Sequence, residues 1–383
     1  MKNGLPIKPL KSLCDDFKQD IVDGPFGSEL QRKDYITQGV PVLKIQNVKP
    51  FAIELKKMDY VSPAKFNELR RHSFRRGDIV MTKLGKPLGA SAIVEDLDEG
   101  VFVADLVRIR AQQINTKFLC YHLNSQRTND FINSMQKGTT RPRVTLSVVR
   151  ELPIYSPPLA EQQRIVGLLD KAFAGLATAK ANAEKNLKNA RALFESHLQF
   201  VFTKRGKGWV EKTIADSFRV SSGDFLPARA MVESGGFDVY GGNGINGRHN
   251  QKNMSGENII IGRVGAKCGN VHHVEGNAWV TDNALYISEY LCPFDLGFLT
   301  RLLRHKDLRS KANQMAQPVI SYTTIKDVSL EFPASKVEQE KISSSFDTLE
   351  EETERLASLY ERKLAALETL KRSLLHQAFT GSL

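Results

Sequence analysis

Cysteine is scarce in this sequence of 383 residues. The four cysteines are Cys14, Cys120, Cys268 and Cys292, and they are far apart along the chain. None of them forms a CxxC pair or a Cys/His pair at the spacing of a metal site. The pattern therefore excludes a disulfide framework and favours buried, reduced thiols in a cytoplasmic protein.

Long apolar runs are also missing. No stretch of 18 apolar residues occurs, and residues 1–11 lack the apolar centre of a signal peptide. We therefore expect neither secretion nor a membrane span. With 41% hydrophobic and 25% charged residues, the chain has the profile of a folded protein with room for two or three domains.

The common catalytic patterns are absent as well. The sequence contains no GxxxxGK[ST], HExxH, GxSxG or [DN]PP[YF] pattern, and residues 262–269 lack the spacing and the Ser or Thr of a phosphate loop. His272 and His273 have no acidic or Cys partner nearby, so a pair at a strand edge is the favoured interpretation. We predict no catalytic residue, no metal ligand and no cofactor in this chain.

The charge balance, in contrast, is informative. Lys and Arg total 54 against 43 Asp and Glu, which gives a net charge of +11 and a pI near 9.4. A basic chain favours a polyanionic partner such as nucleic acid over a neutral one. Charge alone is weak support, since many basic proteins bind no nucleic acid.

An internal repeat with a period near 177 residues organises the chain. Residues 157–166 read PPLAEQQRIV and are echoed at 333–342 by PASKVEQEKI; residues 196–203 and 373–380 also correspond. Upstream, the buried strand and Gly turn at 77–85 are echoed at 257–265. Each half is therefore predicted to be a β-rich α+β module followed by a long helix.

Heptad spacing is clear in both long helices, whose apolar residues alternate in steps of four and three. The first seam is rich in Ala and the second in Leu, so we expect the helices to pair with each other, most easily antiparallel. Asn186 and Lys363 form a polar layer, which either fixes the register or reaches solvent. The predicted seam and partner-docking residues are Ile165, Leu169, Leu176, Asn186, Leu193, Ile342, Phe346, Leu349, Leu356, Lys363, Leu367 and Leu374.

Basic and amide residues collect at the predicted turns of both modules. Arg to guanine and Asn or Gln to adenine are common base contacts, whereas Lys mainly contacts phosphate. For each of these basic and amide residues, the alternative interpretation is a solvated surface residue with no role in binding. The glycines at 24 and 27 and at 241–244 fit tight turns, and could also admit a phosphate backbone. The candidate DNA-binding residues are Lys83, Lys86, Arg141, Arg143, Asn243, Arg248, Arg263, Lys267 and Gln317.

Four motifs together resemble one known family. They are DGPFGS at 23–28, PPLAEQQRI at 157–165, YGGNGI at 240–245 and AFTG at 378–381. Over essentially the whole chain, the sequence resembles the specificity subunit of type I restriction-modification systems. The second repeat departs from the pattern, since residues 335–340 read SKVEQE, which leaves two possibly unequal docking surfaces.

The resemblance implies an α+β fold with two β-rich target-recognition domains, separated by two long helices that form an antiparallel coiled coil in a pseudo-twofold repeat. It also implies a non-catalytic subunit that binds a bipartite site on double-stranded DNA. Two modification subunits with S-adenosylmethionine, and restriction subunits with ATP and Mg, are the implied partners. The expected boundaries are 1–157 and 204–334 for the recognition domains, and 158–203 and 335–383 for the helices.

The length of the first helix suggests a spacing for the two half-sites. About 43 residues from Glu161 to Thr203 span roughly 65 Å, and readers on one face of B-DNA are spaced about one turn apart. Half-site centres about 10 base pairs apart are compatible with that length. A coiled-coil adaptor that binds protein, and a specificity subunit that serves methylation alone, are the alternatives.

Overall fold

The computed structural model describes residues 6–138, 142–313 and 318–382. The chain divides into two compact units. Unit 1 consists of Met1–Ala183 with Arg362–Leu383, and unit 2 of Glu184–Glu361.

Unit 1 is rich in short strands. The elements, in chain order, are β1 (Ile7–Pro9), α1 (Phe17–Asp20), β2 (Ile21–Asp23), β3 (Tyr35–Ile36), β4 (Val40–Leu43), β5 (Val48–Lys49), β6 (Ala52–Ile53), β7 (Asp59–Val61), α2 (Pro63–Glu68), β8 (Ser73–Arg75), β9 (Ile79–Thr82), β10 (Ser91–Ile93), β11 (Glu99–Phe102), β12 (Leu106–Ile109), α3 (Thr116–Leu123), α4 (Gln126–Met135), α5 (Leu146–Arg150), β13 (Pro153–Tyr155) and the long helix α6 (Leu159–Lys204), which continues into unit 2.

Unit 2 repeats much of this order. Its elements are β14 (Trp209–Thr213), α7 (Ile214–Ser217), β15 (Phe218–Ser222), β16 (Phe237–Gly241), β17 (Gly244–His249), β18 (Asn258–Gly262), β19 (Val271–Val274), β20 (Ala278–Val280), β21 (Ala284–Tyr290), α8 (Leu296–His305), α9 (Tyr322–Ile325), β22 (Ser329–Pro333) and the second long helix, α10 (Lys336–Thr380), which continues into unit 1.

The sheets show that the repeat is structural. Unit 1 has an antiparallel sheet in the order β10-β9-β12-β2, and unit 2 has β19-β18-β21-β15. A second sheet in each unit contains one parallel pair, β4 with β11 and β16 with β20. A two-stranded sheet precedes each long helix, β1 with β13 and β14 with β22. The prediction of an α+β fold with two copies of one module is confirmed.

The central strand of each module is buried on both faces, which explains its unbroken apolar sequence. In β9, Ile79 and Met81 enter the core shared with α3, whereas Val80 enters a second core behind the sheet. Strand β18 divides its residues in the same way, with Ile259 in one core and Ile260 in the other. Alternate side chains of one strand therefore hold two layers together.

The long helices run antiparallel to each other in unit 1. Lys180 on α6 forms an ion pair with Glu368 on α10 (2.8 Å), and the Lys371 ammonium lies 5.0 Å from the ring centre of Phe173. Farther towards the start of α6, Ile165 shares its core with the last turns of α10. Residues near the start of α6 thus contact residues near the end of α10, and residues farther along α6 contact earlier residues of α10, as in an antiparallel pair.

Unit 2 contains the same antiparallel pairing. Arg191 on α6 forms an ion pair with Glu361 on α10 (2.6 Å). Three residues later, Phe194 lies edge-on to Phe346 at 6.2 Å, and Phe202 lies 5.8 Å from the same ring. The predicted antiparallel coiled coil is confirmed within each unit.

The buried stripe departs from the predicted seam near the end of α6 and at one position of α10. Leu193 is 48% exposed and Lys363 is exposed, so neither lies inside the seam. The buried side follows Leu198 and Phe202 instead. A straight helix has 3.6 residues per turn, and a strict 3.5-residue pattern therefore drifts by about 20° per heptad.

The other predicted seam residues are at least partly covered. Ile165, Leu169 and Phe346 are buried, whereas the half-buried ones are Leu176, Asn186, Ile342, Leu349, Leu356, Leu367 and Leu374.

One buried glutamine joins each long helix to its module. The Gln162 side chain accepts a hydrogen bond from the Asn115 N–H (2.8 Å) and donates one to the Pro157 carbonyl (2.8 Å). Its equivalent, Gln339, accepts from the Asp295 N–H (3.0 Å) and donates to the Pro333 carbonyl (2.8 Å). The glutamine shared by both repeats is thus explained by a structural contact.

Replacing Gln162 with alanine is expected to destabilise the protein by about 2 kcal/mol, because a buried N–H at the start of α3 loses its acceptor. Urea unfolding of the variant measures this loss. Gln163, the exposed next residue, provides the matched control: its alanine variant should stay within about 0.5 kcal/mol of the parent. Equal losses in both variants would contradict the assignment.

A buried histidine makes unit 1 sensitive to acid. His122 is fully buried; its Nε2 accepts from the Tyr155 N–H (3.0 Å), and its Nδ1 lies 3.1 Å from the Thr128 hydroxyl oxygen. Burial, together with the charge of Arg127, lowers the pKa of His122 to about 3. The imidazole is therefore neutral in the folded protein at any moderate pH.

The stability of unit 1 should consequently fall as the pH falls. The unfolded histidine takes up a proton near pH 6.5, whereas the folded one does so only near pH 3, so folding opposes protonation throughout that window. His122 alone should cost about 2 kcal/mol between pH 6.5 and pH 5. Urea unfolding at pH 7.5 and 5.0 checks this, and His122→Gln should flatten the difference. An unchanged difference in that variant would refute the role of His122.

The four cysteines are free and buried, as predicted from the sequence. Burial is the main cause that raises the pKa of both Cys14 and Cys120 to about 12. Within residues 6–138, 142–313 and 318–382, no helix combines the length and the apolar character needed to cross a membrane.

Candidate nucleic-acid interface

Several loops of unit 1 meet at the end of strand β9. The Lys83 N–H bonds to the Asp105 carbonyl (2.9 Å), and the Gly85 N–H bonds to the Pro142 carbonyl (2.9 Å). The Lys83 carbonyl accepts from the Val144 N–H (2.9 Å). Backbone bonds therefore fix the relative positions of three loops that are distant in sequence. We call them, with the turns at 24–28 and 44–47, the unit 1 loop cluster.

Unit 2 has the same bonds at the end of strand β18. The Arg263 N–H bonds to the Asn283 carbonyl (2.9 Å), and the Gly265 N–H bonds to the Pro318 carbonyl (3.0 Å). The Arg263 carbonyl accepts from the Ile320 N–H (2.8 Å). These loops, with the turns at 223–227 and 241–244, form the unit 2 loop cluster. Lys83 and Arg263 are thus equivalent residues, and so are Asp105 and Asn283.

A cleft of about 620 Å³ lies within the unit 1 loop cluster. It combines apolar walls with a basic rim, a mixture suited to a ligand that has charged and flat apolar parts. The lining residues include Asp23, Phe26, Lys83, Asp105, Met135, Lys137, Arg143, Thr145 and Leu146.

Lys83 lies deep in this cleft rather than on its rim. Its ammonium forms an ion pair with Asp23 (2.6 Å), and the two side chains are 12% and 17% exposed. The same ammonium lies 4.9 Å from the ring centre of Phe26. In this position Lys83 holds the turn at 24–28 against β9, and its charge is already balanced.

The exposed cations of the unit 1 cluster are Lys86, Lys137 and Arg143. Lys137 and Arg143 face each other through two backbone hydrogen bonds of 2.9 and 3.0 Å, which form an antiparallel bridge between the two residues. Lys86 lies four residues beyond Thr82, the buried end of β9, and three beyond Lys83. Arg141 lies outside the described residues.

The unit 2 cluster contains three of the predicted residues. Arg263 is half-buried, and its guanidinium donates to the Asp282 carbonyl (3.0 Å). Lys267 and Asn243 are exposed. The turn carrying Asn243 packs against the cluster, because a Cβ on Gly242 would lie 2.5 Å from the Val264 oxygen. Asn243 is thereby held beside the loop of Arg263.

Two predicted residues of unit 2 are not placed in the cluster. Arg248 lies on β17 in the three-stranded sheet, where its guanidinium bonds to the Gly236 carbonyl (3.2 Å) and lies 3.5 Å from Asp238. The Arg248 guanidinium is therefore engaged by residues of its own hairpin. Gln317 lies outside the described residues.

The repeat identifies an amide residue that sequence reasoning missed. Val103 N–H bonds to the Leu43 carbonyl (3.0 Å), just as Thr281 N–H bonds to the Tyr240 carbonyl (2.9 Å). Three residues past these acceptors lie Gln46 and Asn243, both exposed. The two amides therefore occupy equivalent positions. No motif pointed to Gln46, because residues 43–49 match residues 240–246 of the second repeat at no aligned position.

Burial shifts the pKa of two side chains beside the unit 2 cluster in the direction that favours their uncharged forms. Burial raises the pKa of Tyr240, with Asp238 adding to the effect. Burial also lowers the pKa of His272, and the Arg304 charge lowers it further. His272 and His273 lie on β19, the edge strand that was predicted. The expectation that no acidic side chain lies nearby was wrong, because the His273 Nε2 atom lies 2.6 Å from a Glu257 carboxylate oxygen. In the part of the chain that the structure describes, no group of three or more His, Cys, Asp or Glu side chains is arranged to hold a metal ion.

A family model for the type I restriction modification DNA specificity domain matches residues 73–189 and 206–361. Among curated proteins, the specificity subunit of the type I restriction enzyme EcoprrI from Escherichia coli is 28% identical over 200 residues, which are 50% of this chain and 49% of that protein. A putative type I specificity subunit from Mycoplasma pneumoniae is 24% identical over 278 residues, 67% of this chain and 73% of that protein. The match to the first of these relatives thus spans about half of its length.

Solved structures share the fold. A chain solved in work on complex assembly and conformational transition of the type I R-M system superposes with a TM-score of 0.75, at 18% identity, over 100% of this chain and 99% of its own. The HsdS subunit from Thermoanaerobacter tengcongensis gives a TM-score of 0.64, also at 18% identity, over 100% and 98%.

Proposed function

Because this chain belongs to the type I restriction-modification DNA specificity family, we propose that each of its loop clusters reads one half of a bipartite site on double-stranded DNA. The observation that carries the proposal is the duplication of the cluster. The same three backbone hydrogen bonds occur at Lys83 and at Arg263. The loops of the two clusters therefore lie at the same end of equivalent strands, β9 and β18. Two readers of one design suit a target in two parts.

Each cluster offers the residue types that this task needs. Exposed cations, Lys86, Lys137 and Arg143 in unit 1 and Lys267 in unit 2, suit contacts with phosphate or guanine. Exposed amides, Gln46 and Asn243, suit a bidentate contact with adenine. The proposed division is that cations set position and affinity while amides contribute base discrimination.

The chain would act as a non-catalytic guide for enzymes bound to it. We propose that two modification subunits and restriction subunits dock on the long helices, and that S-adenosylmethionine, ATP and Mg are held by those partners. The cytoplasm is the proposed compartment. Half-site centres about 10 base pairs apart remain the expected spacing, and a single contiguous footprint on DNA would count against it.

The test is co-expression of this chain with a candidate modification subunit, followed by sequencing of methylated adenines in the host DNA. We expect a bipartite motif. Exchanging residues 204–334 for those of a relative should change one half of the motif and leave the other half unaltered. A stable complex that produces no new methylation would favour the alternative of a protein-binding adaptor.

A further inference from the structure

An exposed aromatic ring marks the tip of the turn after β2. Phe26 is 59% exposed and lines the cleft of unit 1 together with Arg143. One side of its ring faces the Lys83 ammonium. Leaving so much apolar surface in water is unfavourable by about 25 cal/mol per Å², so the folding of unit 1 alone does not account for this ring.

Unit 2 presents an aromatic ring at the equivalent position. Gly24 N–H bonds to the Leu106 carbonyl (3.2 Å), and Gly223 N–H bonds to the Ala284 carbonyl (3.2 Å). Two residues after each glycine comes a phenylalanine, Phe26 in one unit and Phe225 in the other. Phe225 is 73% exposed. The flanking letters, GPFGS and GDFLP, otherwise have little in common.

Both phenylalanines lie on turns that are anchored by hydrogen bonds or an ion pair to neighbouring segments. Asp224 bonds through its N–H to the Val280 carbonyl (3.0 Å), and its carboxylate accepts from the Asn253 amide (2.9 Å). In unit 1, the Lys83 ion pair with Asp23 holds the residue that precedes Gly24. An exposed ring on a fixed turn loses little conformational freedom on binding, which is the property of an aromatic anchor.

The surroundings of the rings select DNA as the occupant. A polyanion would be held by the exposed cations of each cluster. They are Lys86, Lys137 and Arg143 in unit 1 and Lys267 in unit 2. Aromatic side chains inside such basic sites contact bases, either at a thymine methyl or by wedging against a base step. A protein partner would be expected to need a larger apolar patch than the exposed Phe26 and Met135 of unit 1, or the exposed Phe225 of unit 2, provide.

We propose that Phe26 and Phe225 are a matched pair of base-contacting residues, one for each half of the DNA target. This inference rests on the proposed function, and adds to it the apolar contact that the basic and amide residues lack. Loss of a ring should weaken binding to the target by roughly 5- to 100-fold, the range found for aromatic contacts with bases. Phe26→Tyr and Phe225→Tyr keep the ring and should retain most of the affinity.

The experiment uses the complex of this chain with its modification subunit, and a duplex carrying the methylated motif as the probe. Phe26→Ala and Phe225→Ala are compared with Leu55→Ala and Leu291→Ala, which remove exposed apolar residues (43% and 44%) from the same units. Thermal unfolding is measured for every variant. We expect a loss of affinity in the two phenylalanine variants only, and unchanged melting temperatures throughout.

Photocrosslinking supplies a readout that does not depend on stability. With p-benzoylphenylalanine in place of Phe26 or Phe225, crosslinks should form to bases in one half of the motif from position 26 and in the other half from position 225. Normal binding by both alanine variants, or a bound complex without base crosslinks from either position, overturns the inference alone. A parent complex that does not prefer the motif over a scrambled duplex would instead overturn the proposed function.

Discussion

Gly24→Ala is expected to destabilise the protein by about 4 kcal/mol or more, because the added methyl group has no space. A Cβ at this position would lie 2.2 Å from the carbonyl carbon and oxygen of Val103 and 2.5 Å from the Phe102 oxygen. All of these atoms belong to the backbone of β11 and the turn after it, so no side chain can rotate away. The melting temperature should fall by roughly 10 °C or more.

The control for this substitution is a glycine in open space. Gly167 lies on α6, and a Cβ there would meet nothing within 4 Å; alanine at this helical position should stabilise by up to about 1 kcal/mol. Gly223 in unit 2 should behave like Gly24, because its Cβ would lie 2.0 Å from the Val280 oxygen. Circular dichroism melting of the three variants decides the matter. A stable Gly24→Ala protein would mean that the turn is not packed against β11 as described.

Removing the three exposed cations that the structure describes in the unit 1 cluster should reduce affinity for the target duplex by roughly 100-fold at physiological salt. The variant carries Lys86→Ala, Lys137→Ala and Arg143→Ala. Each phosphate contact contributes about 0.9 to the slope of log K against log salt, so the slope should become smaller by about 2 to 3. Titrations of the complex at several salt concentrations measure both quantities. Stability should be unaffected, since all three side chains are exposed.

The matched control removes the same charge from another part of unit 1. Lys8, Lys18 and Lys33 are exposed and do not line the cleft. Their triple alanine variant should leave the salt slope within about one unit of the parent. Equal losses in the two triple variants would show that net charge, and not the cluster, determines the affinity.

Much of the architecture is readable from the sequence, because it depends on periodicity. The echo of 157–166 at 333–342 and the heptads after it predicted two modules and two long, paired helices. The drift of the buried stripe away from Leu193 was not predicted, since a heptad written along the chain ignores the true helical repeat. The exposure of Lys363 agrees with one of the two alternatives for the polar layer, in which the residue reaches solvent.

The candidate site was predicted less well, for a different reason. Residue type selected Lys83 and Arg143 equally, yet Lys83 is paired with Asp23 inside the cleft while Arg143 is exposed on it. Burial of a loop residue depends on contacts between loops that are distant in sequence. Gln46, Phe26 and Phe225 became visible only when backbone hydrogen bonds aligned the two units residue by residue.

The antiparallel helices also determine the order in which the two units can be completed during synthesis. Unit 2 is one continuous stretch of chain, from Glu184 to Glu361. The core of unit 1, in contrast, includes Leu375, Ala378 and Phe379, and the Phe379 ring lies 5.3 Å from that of Phe118. A ribosome must therefore translate the whole of unit 2 before the N-terminal module receives its last core residues, although folding during synthesis usually proceeds from the N-terminus. Until then the nascent N-terminal module carries an open apolar groove where Leu375, Ala378 and Phe379 will pack. A chaperone that binds exposed apolar grooves would have the whole time of unit 2 synthesis in which to bind this one.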